Sequence, residues 1–457
     1  MTLVQASAGE EAAGGDRSRK KKVLIIANLF HATPRITRFV RHFPSHGWYA
    51  TIITPVIEPG LKDLLNAPPA DIKDYGIRII ETGESHPYEK ARQGDPFAGR
   101  MGRMRGLVNK VDPRSDSRLR ALVEKYYWRC YHTLHYPDVE KGWRPQALAA
   151  AEALLEKERF DVMLSSSSPI IAHVICAELR RKHRVPWIAE YRDLWTQNHN
   201  YPLGPVMKMF DRRLERRTVG AADAIVTNTD MMKEDLEKLF PPSKCFTVTT
   251  GYEREDYAVE APLTRDFTIT YTGQIYRAGQ DPNLLIDAVA ELINEKKMGR
   301  ERVKIRFYGP EDYLLETRAE EAGLKGVLSQ NGVVSKREAI VRQKESQLLL
   351  CMNWASSKGA RVQLIKFVDY LATGRPMLVT GGVEPSYLVD GVRRTGAGSY
   401  SRTKEELKVA LEGYYNEYLT KGAVQPRGDP AEIEKLDIRN TARKYAELMD
   451  RLSAGAI

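Results

Sequence analysis

Four stretches of the chain set polar or charged side chains where an apolar run ends and a helical pattern begins. In SSSSPIIAH (Ser165–His173) a polar turn runs into Pro169, a residue suited to the first turn of a helix. His173 then falls within two turns of the helix start, where an imidazole could hydrogen-bond a sugar or an acceptor. A histidine satisfied inside the core is the competing reading. In PWIAEYRDLW (Pro186–Trp195) a strand ends in Tyr191-Arg192-Asp193, a local ion pair or a grip on a polar substrate. ITYTGQIYRAGQDP (Ile269–Pro282) carries Gly273, which lets backbone approach a ligand closely, and Arg277 ahead of a helix opening. A guanidinium there suits pyrophosphate, or it is a solvated loop arginine. KGARVQLIKFVDYLATGRP (Lys358–Pro376) puts Lys366 and Asp369 three apart on one helical face. They read as a surface ion pair contributing under ~1 kcal/mol. Alternatively, Lys366 meets a diphosphate and Asp369 accepts the two hydroxyl hydrogens of a ribose diol.

An alternation of strands and helices must position these groups. KKVLII (Lys21–Ile26) is a β-branched run that reads as a buried parallel strand. Ile36, Phe39, Val40 and Phe43 then repeat at helical spacing up to Gly47, and ATIITP (Ala50–Pro55) is a second strand. This β-α-β opening begins a doubly wound sheet. Gly76–Ile80 reads as a third strand and Arg118–Tyr131 as a helix. Strands follow at DVMLSS, PWIAEY, DAIVTN and CFTVTT, with helices over Gln146–Lys157, Ile171–Lys182, Val206–Val219 and Met231–Leu239. After the polar stretch Arg254–Arg265 the alternation restarts. Its strands are FTITYTG, VKIRFYG, VLSQNG, QLLLCM and PMLVTG. Its helices cover Pro282–Lys296, Leu314–Ala322, Lys336–Lys344, Gln363–Thr373, Lys404–Tyr415 and, last, Pro430–Leu452. The pattern predicts an α/β protein of two Rossmann-like, doubly wound parallel-sheet domains facing across a cleft. A polar tail covers 1–21, the first domain 22–258 and the second 259–430, and a C-terminal helix within 431–457 packs back on the first domain. Strand carboxyl ends and helix N-termini line such a cleft, which is where anions and nucleotides bind.

Composition removes other classes. The 457 residues include 33 Gly and 24 Pro, too few for a disordered or collagen-like chain. The four cysteines, Cys130, Cys176, Cys245 and Cys351, lie far apart without metal-ligand spacing, so reduced thiols in a reducing compartment are expected. The first 22 residues hold no apolar core of a signal peptide, and no apolar run is long enough to span a bilayer. The expectation is a cytoplasmic protein, soluble or peripheral on the inner face of the cell membrane. Neither half carries GxGxxG or GxxxxGK[ST], which argues against hydride transfer and P-loop chemistry. Residues 90–120 hold nine basic and three acidic residues, more than half of the chain's net charge of +10. A solvated loop, an anionic membrane surface and nucleic acid are its three readings. Phe97, Met101, Met104 and Leu107 interleave with arginines as an interfacial helix would. No aromatic-basic pattern or fold supports nucleic acid.

Taken together, Pro137-Asp138 with Gly142-Trp143, SSxP…H, PWIAEYRDLW, TGYEREDY, YTGxIY…DP and KFxDYLATGRP resemble glycosyltransferase family 4 with the GT-B fold. The resemblance runs from about residue 22 to 452. It implies a retaining transferase that moves a sugar from a nucleotide-diphosphate sugar to a glycan, lipid-linked or small-molecule acceptor, in polysaccharide or glycoconjugate assembly. The first domain would then bind the acceptor and the second the donor. It implies His173 beside the transferred sugar, Asp193 and Arg192 at the strand end facing the cleft, and His31 and Arg35 in the first loop. Gly273 would lie by the donor phosphates, with Arg277 and Lys366 as diphosphate cations and Asp369 in place of the second glutamate of a paired-glutamate motif. No metal or other cofactor is implied, because the cations and the helix N-terminus near Gln363 would stabilise the leaving diphosphate. The first loop departs from the family in holding His31, Thr33 and Arg35 instead of glycines. Thr250 stands for Asn, Arg361 for the first glutamate and Gln280 for a basic residue. A GT-B nucleotide-sugar epimerase or a non-catalytic nucleotide-sugar-binding protein is the alternative function.

Overall fold

The structure, a computed structural model, describes residues 20–29, 35–56, 74–84, 136–138, 140–199, 201, 203–277 and 279–456. His31, the basic stretch 90–120, the Arg118–Tyr131 helix and Cys130 lie outside the described residues. In the N-terminal lobe the strands are β1 (Lys21–Ile26), β2 (Trp48–Val56), β3 (Arg78–Glu84), β4 (Val162–Ser167), β5 (Trp187–Tyr191), β6 (Ala224–Thr227) and β7 (Cys245–Thr247). They form one sheet in the order β3-β2-β1-β4-β5-β6-β7. The C-terminal lobe has β8 (Phe267–Thr272), β9 (Val303–Tyr308), β10 (Leu328–Gln330), β11 (Leu348–Met352), β12 (Met377–Thr380) and β13 (Gly398–Ser401). Their order is β10-β9-β8-β11-β12-β13. Adjacent strands pair in parallel, as β1 does with β2 and β4, and β8 with β9 and β11. Both sheets reverse direction beside their first strand, so each lobe has a switch point at the carboxyl ends of its central strands.

Alternation along the central strands explains the two-faced packing. Val23 and Ile25 of β1 join a core with Phe39, Val40, Tyr445 and Met449, while Leu24 and Ile26 join Ile171, Ile175 and Leu179 on the other face. In the second lobe Leu348, Leu350 and Met352 of β11 pack with Leu285, Val289 and Leu411, and Leu349 and Cys351 with Phe367, Val368 and Val389. Both faces are covered, which is why these strands read as near-continuous apolar runs. Cys176, Cys245 and Cys351 are buried free thiols.

Two expectations change. The final helix is not continuous: Pro430–Glu434 and Ile438–Ser453 are separate helices. Between them, Tyr252 N donates to Leu436 O (2.8 Å) and Ile438 N donates to Tyr252 O (2.9 Å), so the chain leaves the helix to pair with residue 252. Asp437 then caps the new helix by accepting from Arg439 N. A further helix, Tyr387–Thr395, and strand β13 are elements the sequence reading passed over. Gly391 interrupts the helical pattern because a Cβ there would lie 2.5 Å from the ring of Phe367.

The Ile438–Ser453 helix belongs to the N-terminal lobe's core. Tyr445 stacks on Phe39 with 4.6 Å between ring centroids, and Trp48 Nε1 donates to Asp450 (2.9 Å). The Tyr445 hydroxyl donates to fully buried Glu190 at 2.8 Å. Removing a donor from a buried carboxylate costs about 2 kcal/mol. Tyr445→Phe should therefore lose about that much in urea unfolding, with the ring's packing retained. An unchanged midpoint would mean that the Tyr445 hydroxyl contributes nothing to docking the helix.

Candidate active site

A cleft of about 520 Å³ runs between the lobes, and residues just past the carboxyl ends of strands line it from both sides. The N-terminal lobe contributes Arg35 beyond β1, Arg192 and Asp193 after β5, Asn228 after β6 and Thr250 beyond β7. From the other lobe come Gly273 after β8, Gly309 and Pro310 after β9, Val333 and Val334 beyond β10, and Gln363 to Lys366 at a helix start. The lobes also clasp each other at this floor. The Gln363 side chain accepts from Thr250 N (3.0 Å) and donates to Thr250 O (2.9 Å). Thr229 Oγ1 donates to Arg361 O at 2.8 Å, and the Arg361 guanidinium pairs with Asp235 at 2.8 Å.

Lys366 occupies the second position of the Ile365–Thr373 helix. Its N-cap is Leu364, which offers no side-chain bond, and the first turn holds no acid. A cation here opposes the helix dipole, and no side chain caps the first N–H groups, so this terminus is left open to a negative charge. The Lys366 Nζ donates to Gln274 O (3.3 Å) and sits 4.8 Å over the Tyr271 ring. Burial lowers its pKa. Among the described residues it makes no ion pair. Gly273 (φ +108°) runs beneath it: a Cβ there would lie 2.7 Å from Lys366 Cε. Gly309 fits against Gly273, where a Cβ would meet Gly273 O at 2.4 Å. Two glycines, a lysine and a helix N-terminus thus surround one small space.

Asp369, one turn on, lines the same cleft. Its Oδ1 accepts from the Tyr257 hydroxyl (2.6 Å), which is held well above its usual range by burial and by that carboxylate, and Arg38 lies 3.9 Å away. Arg192 and Asp193 form the local pair (3.6 Å) and also line the cleft. Arg192 reaches back to Ser168 O (3.1 Å), which fixes its direction.

Three expectations are corrected. His173 does not face the cleft: it is fully buried, its Nδ1 shares a 2.7 Å hydrogen bond with Ser165, and it packs against Tyr191. Burial lowers its pKa to about 3, so it is neutral at ordinary pH. Arg277 is not among the cleft-lining residues; its Nε pairs with Asp312, the N-cap of the Tyr313–Glu321 helix. Arg35 touches the cleft but is only 2% exposed and its guanidinium is committed. It pairs with Glu190 (2.7 Å), donates to Val248 O (3.0 Å) and bonds Asn228 and Thr250. It holds the cleft floor and does not reach out to an acceptor.

Tyr257 and Lys336 are cleft residues the sequence reading passed over, and Gln363, read as a helix start, lines the cleft with its side chain on Thr250. Lys336 had a readable signal: it is the first residue of the Lys336–Lys344 helix, another cation against the dipole. Burial and Arg38 lower its pKa, and Asp256 pairs with it.

The profile of the glycosyl transferase 4-like domain matches residues 32–251. No curated protein sequence matches the chain. Among solved structures, the chain is similar to Anabaena Alr3699/HepE in complex with UDP and glucose (TM-score 0.59, 11% identity), covering 94% of this chain and 99% of that one. It is also similar to a glycosyltransferase from Rickettsia africae ESF-5 (0.54, 10%; 95% and 98% covered) and to the lipopolysaccharide outer core galactosyltransferase WaaB (0.53, 11%; 94% and 99% covered). At such identities the likeness is one of fold: two Rossmann-like lobes in the GT-B arrangement.

The placement of His173 has a pH consequence. An unfolded histidine titrates near 6.5, above the folded value of about 3. Between those values the unfolded chain binds the extra proton, so stability is full above about pH 6.5 and falls as pH drops toward 3. The contribution is about 1.4 kcal/mol per pH unit in that window. His173→Gln should flatten this part of the stability profile, measured by urea unfolding between pH 5 and 7. An unchanged slope would move the histidine out of the core.

Proposed function

For a chain that is a glycosyltransferase of GT-B architecture with a glycosyl transferase 4-like N-terminal domain, we propose a nucleotide-diphosphate sugar as donor and transfer with retention. The reading rests chiefly on Lys366: a half-buried ammonium without an ion pair among the described residues, in the first turn of an uncapped helix, over the Gly273 turn. The diphosphate occupies that space, held by Lys366 Nζ and the N–H groups that open the helix. Asp369 accepts from the ribose hydroxyls while Tyr257 fixes its direction. The sugar then extends toward Arg192 and Asp193 on the opposite wall.

As the bond from the anomeric carbon to the diphosphate breaks, negative charge grows on the leaving oxygen. Lys366 and the helix N-terminus are already in place to stabilise it, with no reorganisation at the moment of reaction. The acceptor hydroxyl attacks from the same face, and the departing phosphate oxygen takes its proton. No protein nucleophile is needed, and positive charge from the chain does the work of a metal ion. With Arg277 held by Asp312, Lys366 carries this task with the backbone. Asp193 orients the sugar or the acceptor. Arg192 fixes Asp193 through the 3.6 Å pair. The acceptor is a glycan or a lipid-linked saccharide of glycoconjugate assembly. Among the described residues no helix is long and apolar enough to cross a membrane.

Incubation with UDP-, GDP-, ADP- and dTDP-sugars, read as nucleotide release and as ligand-induced melting shifts, tests the donor. UDP-glucose is the first candidate because a similar fold, HepE, is described in complex with it. With the active donor, Lys366→Met should lower kcat/KM about a hundredfold. Its melting temperature should hold, since no ion pair is lost. Gly273→Ala should weaken donor binding by pushing Lys366 aside. Activity that survives Lys366→Met places the diphosphate elsewhere, and a product of inverted anomeric configuration rules out retention.

A further inference from the structure

Two buried carboxylates, Asp211 and Glu215, stand one turn apart on the Pro205–Val219 helix and do not line the cleft. Among the described residues neither makes an ion pair. Glu215 accepts from the Tyr191 hydroxyl (3.0 Å), from Thr196 N (3.3 Å) and from Thr196 Oγ1. Asp211 accepts from the Tyr201 hydroxyl, and Tyr136 and Trp195 also face it. Burial raises the pKa of both acids, that of Glu215 to about 6, against the lowering effect of its bonds to Thr196 and Tyr191. Two buried acids without a cation cost folding free energy that apolar side chains would not.

The donors to Glu215 flank one short turn. Tyr191 ends β5, Thr196 follows in the loop, and between them lie Arg192 and Asp193 of the cleft wall. The sheet fixes how this turn starts. Arg192 N donates to Ser167 O (3.1 Å), and Asn228 Nδ2 donates to Arg192 O (3.0 Å). Past Asp193 no strand continues to hold the chain. There one Glu215 oxygen takes both the N–H and the hydroxyl of Thr196, while the other takes Tyr191, so a single carboxylate spans the turn. Farther on, the same loop sets His199 against Trp354 of the other lobe, with 4.8 Å between ring centroids.

We infer that Glu215 is a positioning residue for Asp193: it ties both sides of the Tyr191–Thr196 turn, and Asp211 supports the outer part of the same loop. The inference rests on the glycosyl-transfer reading, in which Asp193 orients the sugar or the acceptor, and it adds the group that holds Asp193 in place. The Asp193 side chain is 41% exposed, and its partner Arg192 is a neighbour on the same turn. Its direction therefore follows the turn, and the turn follows Glu215. The diphosphate site around Lys366 belongs to the other lobe and does not depend on this anchor.

The full-length chain is compared with Glu215→Leu, Glu215→Gln, Asp193→Asn and the double variant Glu215→Gln/Asp193→Asn. Four quantities are read: kcat, donor KM, the donor-induced melting shift and hydrogen exchange by mass spectrometry. Glu215→Leu should lower kcat about a hundredfold, the cost of a reacting group displaced by about 1 Å, with donor KM and melting shift unchanged. Glu215→Gln keeps one acceptor oxygen and should recover about tenfold of that loss. Its remaining loss should vanish in the Asp193→Asn background, because both changes act through one side chain. Exchange should rise over residues 192–199 and stay unchanged over the Ile365–Thr373 helix. If Glu215→Leu folds poorly, the Glu215→Gln and Asp193→Asn cycle decides. Additive losses in that cycle overturn the proposal, as does a higher donor KM at constant kcat. Exchange that does not rise overturns it, and so does faster exchange without loss of turnover. If wild type gives neither nucleotide release nor a melting shift with any donor, while Glu215→Gln speeds exchange over 192–199, the donor reading fails and the anchoring of Asp193 stands.

Discussion

Parallel strands cannot be joined by hairpins, so every strand in a lobe delivers its carboxyl end to the same edge of the sheet. That constraint acts twice here, with the same strand order around β1 and β8. The two edges face each other, and the groups of the cleft arrive there from β1, β5, β6 and β7 on one side and β8, β9 and β10 on the other. Helices that follow these strands point their N-termini into the same space. A site for an anion is therefore built into the architecture, and side chains decide which anion and what happens to it.

Charge is handled in two ways in this cleft. Arg35 and Glu190 are buried and pair at 2.7 Å, and Tyr445, Asn228, Thr250 and Val248 O take further hydrogen bonds from or to them. Such a pair contributes little net stability against apolar residues of similar volume, yet losing one partner strands a buried charge. Its effect is to tie the Ile438–Ser453 helix, the β5 strand and the backbone beyond β7 into one fixed floor. Lys366 is the opposite case. It is half-buried, set against a helix dipole and placed over an aromatic face without an ion pair among the described residues. Local stability rules are broken there, and such breaks concentrate where binding or catalysis requires them.

Much of this was legible in the sequence. Buried parallel strands announce themselves as β-branched runs, and the Lys336–Lys344 helix was readable to its ends. Lys366, Asp369, Gly273, Arg192 and Asp193 were readable as strand-end or helix-start residues. What failed depended on partners remote in sequence. Asp312, thirty-five positions away, takes Arg277 out of the cleft. Gln363 reads as a helix start, but it clasps Thr250 and the helix begins at Ile365. Strand β13 has the pattern GSYS, and its glycine is required because a Cβ would lie 2.0 Å from Met377 O of the neighbouring strand. Nothing in that stretch alone marks it as a strand. His173 was misjudged for a readable reason: it shares the i, i+3, i+4 face of Cys176 and Ala177, which packs inward.

The clasp at the cleft floor bears on how the lobes can move. Gln363 holds both backbone groups of Thr250, and Arg361 holds three groups on the facing helix, Met231 O, Glu234 and Asp235. These contacts leave from the same short segment that supplies the helix N-terminus and Lys366. Any rotation of one lobe against the other must therefore pivot at this segment or break it. A pivot there keeps the anion site in register with Thr250 and Asn228 while the outer walls, Val333 and Tyr276 among them, swing. Both are exposed, at 77% and 45%, and thus free to close over a bound group. On the proposed reading the chemistry is held at the pivot and the exposed residues lie at the rim, so a donor entering or leaving would pass the rim without displacing Lys366.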